Sequence, residues 1–259
     1  MRGVAAILLC FIAFSGCRSK SPEFRKTKAD LEGEISRVSC EESDRLSKTR
    51  ELFERRGANA EIVDYENVSN VLARIDGKSH ETIIVGAHFD KTTLGCGAID
   101  NWTGVVIVAK LLQEFGTNEH LKSYIFVAFG GEERNLLGSR AMADQIATKG
   151  EVRPCAMINL DSFGFDKTWA LKSISDRSLL MLAADVERSR GGSFSIRDYR
   201  GASSDSLPFQ RLDVPSLTFS GLGEDWRDYL HQETDQLRNI DFELVAENYL
   251  FLQSFLEHL

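Results

Sequence analysis

Two imidazoles and five carboxylates fall where short apolar runs of this 259-residue chain end. His88 and Asp90 follow the run 82–87, and Asp100 lies a short loop further on. Glu132 and Glu133 follow the run 123–129 through Gly130-Gly131, Asp161 follows 155–160, and His231 comes a loop after 215–220. The chain has five histidines, and two of them sit at these points. Imidazole nitrogen and carboxylate oxygen are donors for Zn2+ at about 2.0–2.2 Å, and a catalytic zinc keeps one position open for water. Two such ions about 3.5–4 Å apart repel each other, which makes a bridging carboxylate valuable. Asp100, held at a helix start, is the natural bridge. Asp90 is two residues from His88 and projects to the same side of an extended segment. It is better placed to grip the second ring nitrogen than to bind metal. Gly130 and Gly131 let the backbone turn before the paired glutamates. Adjacent carboxylates in a loop point differently, so one can bind metal while the other stays free as a base.

Each feature has an ordinary reading when taken alone. A histidine after a strand commonly hydrogen-bonds a loop, and Asp100 before a helix commonly caps it. Glu132-Glu133 could be solvated charge, Asp161 a turn cap and His231 a surface residue. The joint placement decides for a site, because all of these outcomes would have to meet on one rim by chance.

The elements that must gather these residues are legible in the apolar pattern. Strands are predicted at 60–65, 69–75, 82–87, 123–129, 155–160 and 215–220, and helices at 42–56, 101–115, 136–148, 176–189 and 240–257. Asp76-Gly77 reads as a hairpin signal, and the first hairpin as an antiparallel extension of one sheet edge. Near-continuous apolar strands alternating with amphipathic helices indicate an α/β fold with a mostly parallel, mixed β-sheet sandwiched between helices. Ligands of such sheets bind beyond the carboxyl ends of the strands, where the acidic and imidazole residues lie.

The amino terminus reads as a targeting segment. Met1-Arg2 is followed by the apolar run Val4–Phe14, which is too short to span a bilayer, and by Ser15-Gly16-Cys17. This resembles a bacterial lipoprotein box with Cys17 as the acylated residue, which implies a bacterial cell envelope location facing outside the cytoplasm. Residues 1–17 are expected to be the signal peptide, 18–30 a polar tether, and 31–259 one catalytic domain; the membrane is expected to be met only through the lipid anchor. About 240 residues suffice for one such domain. Hydrophobic content of 42% and charged content of 27% are those of a globular protein. A net charge of −8 argues against nucleic acid as a partner. Beyond Cys10 and Cys17, the cysteines are Cys40, Cys96 and Cys155, which allow one disulfide without specifying the pair and lack metal-type spacing.

The segments Gly86-Ala87-His88-Phe89-Asp90, Gly97-Ala98-Ile99-Asp100-Asn101-Trp102-Thr103-Gly104 and Glu132-Glu133-Arg134-Asn135-Leu136-Leu137-Gly138-Ser139 resemble the co-catalytic di-zinc aminopeptidase family, whose relatives include glutaminyl cyclases and glutamate carboxypeptidases. Asn159-Leu160-Asp161 and His231-Gln232-Glu233-Thr234-Asp235 continue the match, so that it spans roughly residues 30–259. The resemblance implies the phosphorylase/hydrolase-like exopeptidase fold, a peptide substrate and two Zn2+ per chain. It implies that His88 and Asp161 hold one ion, Glu133 and His231 the other, and Asp100 both. Glu132 is then the general base, taking a proton from the attacking water and returning it to the leaving amine, and Asp90 orients His88. Family members often carry Ser-Asp-His before a Pro-Phe pair; here Ser204-Asp205-Ser206-Leu207-Pro208-Phe209 lacks that imidazole. A glutaminyl-peptide cyclotransferase, which needs one zinc, is the nearest alternative. A carboxypeptidase lacks room for its inserted domain, and a non-catalytic lipoprotein scaffold would have no reason to keep the ligands and base. No His-Glu-x-x-His run, Gly-x-Ser-x-Gly elbow or phosphate-binding glycine loop occurs.

Overall fold

The computed structural model describes residues 20–199 and 201–259. Two helices, α1 (Pro22–Ile35) and α2 (Glu42–Arg55), precede strands β1 (Glu61–Asp64), β2 (Ser69–Ile75) and β3 (Glu81–His88). An irregular helical turn, Ala98–Trp102, leads into α3 (Thr103–Phe115), followed by β4 (Ser123–Phe129), α4 (Leu137–Lys149) and β5 (Arg153–Leu160). Then come β6 (Trp169–Leu171), α5 (Arg177–Ser189), β7 (Ser195–Arg197), α6 (Leu207–Gln210), β8 (Ser216–Ser220) and α7 (Phe242–Leu256). The eight strands among the described residues form one sheet in the order β1-β2-β4-β3-β5-β8-β6-β7. Its centre, β4-β3-β5-β8, is parallel, and antiparallel pairings at β1-β2, β2-β4 and β6-β8 make it mixed.

The strands are apolar on both sides because both faces are covered. Val85, Phe126, Ile158 and Phe219 point into the larger core with residues of α1, α3, α5 and α7. Ile84, Val127 and Met157, one residue out of phase, point into the smaller core with Met142 of α4 and Phe209 of α6. Among the described residues, no helix is long and apolar enough to cross a membrane.

Two expectations are corrected. Most of the segment 18–30 is not a tether, because Pro22–Ile35 is a helix of the domain. Ser21 caps it by accepting from Phe24 N, Pro22 opens its first turn, and Phe24, Leu31 and Ile35 are buried along one face. That buried stripe is sparse among Lys, Glu and Arg, which is why the segment reads as polar. Residues 1–19, with the signal segment and Cys17, lie outside the described residues. Asp76-Gly77 is not a hairpin turn either, since β2 pairs with β4 while β3 lies on the far side of β4. Gly77 serves a close approach instead: its N–H donates to Ser123 Oγ, and a Cβ there would lie 2.3 Å from the Lys122 carbonyl carbon. The edge hairpin is β1–β2.

Candidate metal centre and active site

Parallel strands deliver their carboxyl ends to one rim. His88 is the last residue of β3, and Asp161 follows β5 directly, its N–H donating to the Phe219 carbonyl of β8. Glu132 and Glu133 follow β4 after Gly130 and Gly131. Gly131 has φ +69, and a Cβ on Gly130 would lie 2.5 Å from the Ser69 carbonyl oxygen. Asn70 of β2 braces this loop, accepting from Gly130 N and donating to the Gly138 carbonyl. His231 stands in the loop after β8 with φ 59.

These residues meet around Asp100. His88 Nε2 lies 3.1 Å from Asp100 Oδ1 and 3.9 Å from Asp161 Oδ1. His231 Nε2 lies 3.3 Å from Asp100 Oδ2 and 3.2 Å from Glu133 Oε2. Asp100 therefore offers one oxygen to each imidazole, and two donor triads share it: His88, Asp100, Asp161 and Asp100, Glu133, His231. Within each triad the donor atoms lie within 4.8 Å of one another. Three nitrogen and oxygen donors per position, with further coordination left open, suit a pair of catalytic zinc ions.

The charge pattern fits the same purpose. Burial pushes the Asp100 carboxyl up, but hydrogen bonds from His231 and His88 outweigh it and hold Asp100 well below the usual carboxylate range. His88 is raised despite its burial by Asp100 and Asp90, and the same kind of bonds from Asp100 and Glu133 push His231 up to about 10. The two imidazoles thus hold protons where cations would be welcome, and cation binding displaces such protons. Glu132 is raised well above the ordinary range, mainly by burial and further by Asp205, Asp161 and Asp100.

Asp90 sits behind the centre, but its carboxylate does more than face the ring. His88 Nδ1 hydrogen-bonds the Asp90 carbonyl at 3.2 Å, and the Asp90 carboxylate is 3.6 Å from that nitrogen. Its Oδ1 accepts from Glu132 N at 3.0 Å and its Oδ2 from Glu133 N at 3.1 Å. Other supports are not singled out by sequence patterns. Asp235 accepts from Ile99 N and Asp100 N at 2.7 and 3.3 Å. Ser204 donates to Asp161 Oδ2 at 2.6 Å, and Ser162 donates to both Asp100 and Asp161. Asn101 accepts from Ser162 N and donates to the Leu160 carbonyl, tying the Asp100 turn to the end of β5. Ser206, two residues before Pro208, is fully buried and shares a 2.6 Å hydrogen bond with Thr218. Asp205 beside it is fully buried, and burial pushes its carboxyl up to about 7.

Cys96, in the loop between His88 and Asp100, is disulfide-bonded to Cys40, which leaves Cys155 as the free thiol of the three. Arg45 of α2 reaches the same loop, fully buried, with Nη2 donating to the carbonyls of Cys96 and Gly97. Beside Asp161 opens a cleft of about 410 Å³ walled by Trp169, Tyr199, Ala202, Trp226 and Leu230. Trp226 faces this cleft, whereas Tyr229 packs on Phe165 with ring centres 4.4 Å apart.

The chain is 25% identical over 190 residues to the aminopeptidase YwaD of Bacillus subtilis, a match covering 70% of this chain and 42% of that one. It is 31% identical over 153 residues to a vacuolar membrane protease of Kluyveromyces lactis, covering 58% of this chain and 16% of that one. The chain thus spans less than half the length of either relative. In fold it is similar to the Legionella pneumophila aminopeptidase LapA, with a TM-score of 0.78 at 17% identity over 90% of this chain and 70% of that one. It is also similar to the glutaminyl cyclase of Porphyromonas gingivalis, with a TM-score of 0.74 at 16% identity over 91% of this chain and 98% of that one. Residues 70–255 match the model of peptidase family M28, and that span carries every donor of the two triads. The chain belongs to peptidase family M28.

Proposed function

We propose that the chain is a zinc-dependent aminopeptidase that removes amino-terminal residues from peptides. The observation that carries this reading is the position of Asp100, with one carboxylate oxygen in each of two complete donor triads. His88, Asp100 and Asp161 would hold one zinc, and Asp100, Glu133 and His231 the other. The bound pair would supply Lewis-acid polarisation of the scissile carbonyl and a more acidic water. Glu132 is the group placed to take a proton from the attacking water on a carboxylate oxygen and to return it to the departing amine. Its half-buried position and the neighbouring carboxylates favour uptake of the proton. Asp90 keeps Glu132 and Glu133 in place through their backbone, and Ser204 holds the oxygen of Asp161. The cleft beside Asp161 receives an apolar side chain of the substrate on its aromatic walls.

The same proposal places the protein at a bacterial cell envelope, outside the cytoplasm, anchored by acyl chains on Cys17. The Cys40–Cys96 bridge supports an oxidising compartment. A glutaminyl-peptide cyclotransferase is the second reading, favoured by the similarity to a cyclase over nearly its whole length. The donor set weighs against it, since one zinc held by one triad would leave two of the five ligands without a task. A scaffold that has lost catalysis is a poorer account still, because Glu132 and all five metal donors are present.

The test is direct. Purified protein should release amine from aminoacyl reporters, lose that activity to a chelator, and recover it at about two zincs per chain. Cyclisation of amino-terminal glutamine with one zinc, and no amine release from other residues, would replace this reading with the second.

A further inference from the structure

The turn that carries Asp100 is fastened from outside the sheet. Arg45, on α2, is fully buried and points its Nη2 at the carbonyl oxygens of Cys96 and Gly97, the latter at 3.0 Å. Its guanidinium carbon lies 5.2 Å from the centre of the Trp102 ring, at the end of the same turn. Gly97 has φ 61, and a Cβ there would come 2.6 Å from Arg45 Nη2, so the backbone is shaped to admit the guanidinium. Cys40, just before α2, is bonded to Cys96. Asp235 takes the amides of Ile99 and Asp100, and its own carbonyl accepts from Cys96 N at 2.7 Å.

A buried guanidinium needs compensation, yet Nε and Nη1 of Arg45 have no hydrogen-bond partner among the described residues. The opposite charge comes from the surrounding carboxylates of Glu42, Asp235, Asp90 and Asp100. Arg45 is therefore a positive charge lodged behind an acidic centre. Nothing in that arrangement asks it to touch substrate. Its hydrogen bonds end on the backbone that sets where Asp100 stands.

We propose that Arg45 is a positioning residue for the metal pair: by gripping the carbonyls of residues 96 and 97 it fixes the shared carboxylate Asp100 in the place where two cations can use it. The inference rests on the two-zinc reading of the site. Substitutions behind metal ligands weaken metal binding about 10–100-fold. The same range is expected for Arg45→Met and, because a lysine keeps the charge but not the fork, a smaller loss of at least about threefold for Arg45→Lys.

Zinc affinity is read by competition with a chromophoric chelator on purified parent and variant proteins, with circular dichroism and chelator-treated melting curves alongside. The expected result is weakened zinc binding in both variants, and at saturating zinc a lower kcat with little change in KM. An Arg45→Met protein that fails to fold leaves Arg45→Lys to decide, and a lysine variant that binds zinc as the parent does overturns the proposal. Loss of melting temperature without loss of zinc affinity also overturns it, since that is packing alone. A parent that binds two zincs while its variants match it sinks this inference only. A parent that binds none sinks the metal reading together with it.

Discussion

Asp90 Oδ2 accepts a hydrogen bond from the Glu133 backbone N–H at 3.1 Å. With the matching bond from Glu132 N to Oδ1 at 3.0 Å, one carboxylate joins the loop after β3 to the loop after β4. His88 ends β3 just before the first loop and Glu133 stands in the second, one donor from each triad. Asp90→Asn keeps the shape but turns an NH2 group toward a backbone N–H. Leaving one such donor unpaired costs about 1–3 kcal/mol. Zinc affinity is expected to fall about 10–100-fold, with kcat/KM falling alongside, as read by chelator competition and reporter kinetics. A variant with parental affinity would reduce Asp90 to a loop staple without influence on the metals.

Glu132→Gln separates metal holding from proton transfer. Glu132 belongs to neither donor triad, so the variant should still bind two zincs. Losing the base should cut kcat about a hundred- to ten-thousand-fold while KM changes little. Metal analysis and steady-state kinetics on the same preparation check both halves. Near-parental turnover would remove Glu132 from the mechanism.

The parallel core and the clustering of the candidate donors are readable because both rest on strong local signals. Apolar runs such as 123–129 ended where β4 ends, and the chemistry-bearing residues followed them at once. What the sequence concealed was carried by sparse or distant contacts. Helix α1 buries only Phe24, Leu31 and Ile35 among many charges, so its stripe is faint without α7 to pack on. The two short strands β6 and β7 have three residues each, too few to show a period. Arg45 lies 55 positions from the Asp100 it helps to place, in a helix full of charged residues, and nothing local marks it. Pairing Cys40 with Cys96 likewise required knowing that the start of α2 lies beside the turn before Asp100.

The cleft beside Asp161 makes a size prediction. Ala202 is part of its wall together with Trp169, Tyr199 and Trp226. Ala202→Phe puts a ring into the space meant for the substrate side chain. Leucyl and phenylalanyl reporters should lose about 10–200-fold in kcat/KM while an alanyl reporter is little affected. Equal losses for all three reporters would mean that the cleft does not receive this side chain.

Asp205 gives the metal-free protein a pH dependence of defined sign. Its carboxyl is held at about 7, chiefly by burial, against an ordinary value of 3.8. Between those values the folded chain keeps a proton that the unfolded chain gives up, so this group makes stability fall as pH rises through that window. Asp235, pushed up to about 6 by burial, acts in the same direction. Asp205→Asn removes one of these two slopes. In chelator and at equal ionic strength, the melting temperature of the parent should drop more between about pH 5 and about pH 7 than that of the variant. Parallel profiles would show that Asp205 stays ionised in the folded chain.

The Cys40–Cys96 bridge closes a loop across 56 positions and joins the entry of α2 to the turn before Asp100. Chain-entropy arithmetic for a loop of that length gives about 4 kcal/mol of stabilisation through the unfolded state. For a domain of this size the loss corresponds to roughly 10 °C in melting temperature. Cys40→Ser should show this drop without reductant, and the parent should reach the same value once reduced. Cys155→Ser should leave the melting curve and its response to reductant unchanged, because that thiol is outside the bridge. Reduction should also loosen one fastening of the Asp100 turn while Arg45 and Asp235 still hold it. Zinc loss on reduction is therefore expected to be smaller than that caused by Arg45→Met. If reduction releases the metals outright, the bridge and not the guanidinium is the principal support of that turn.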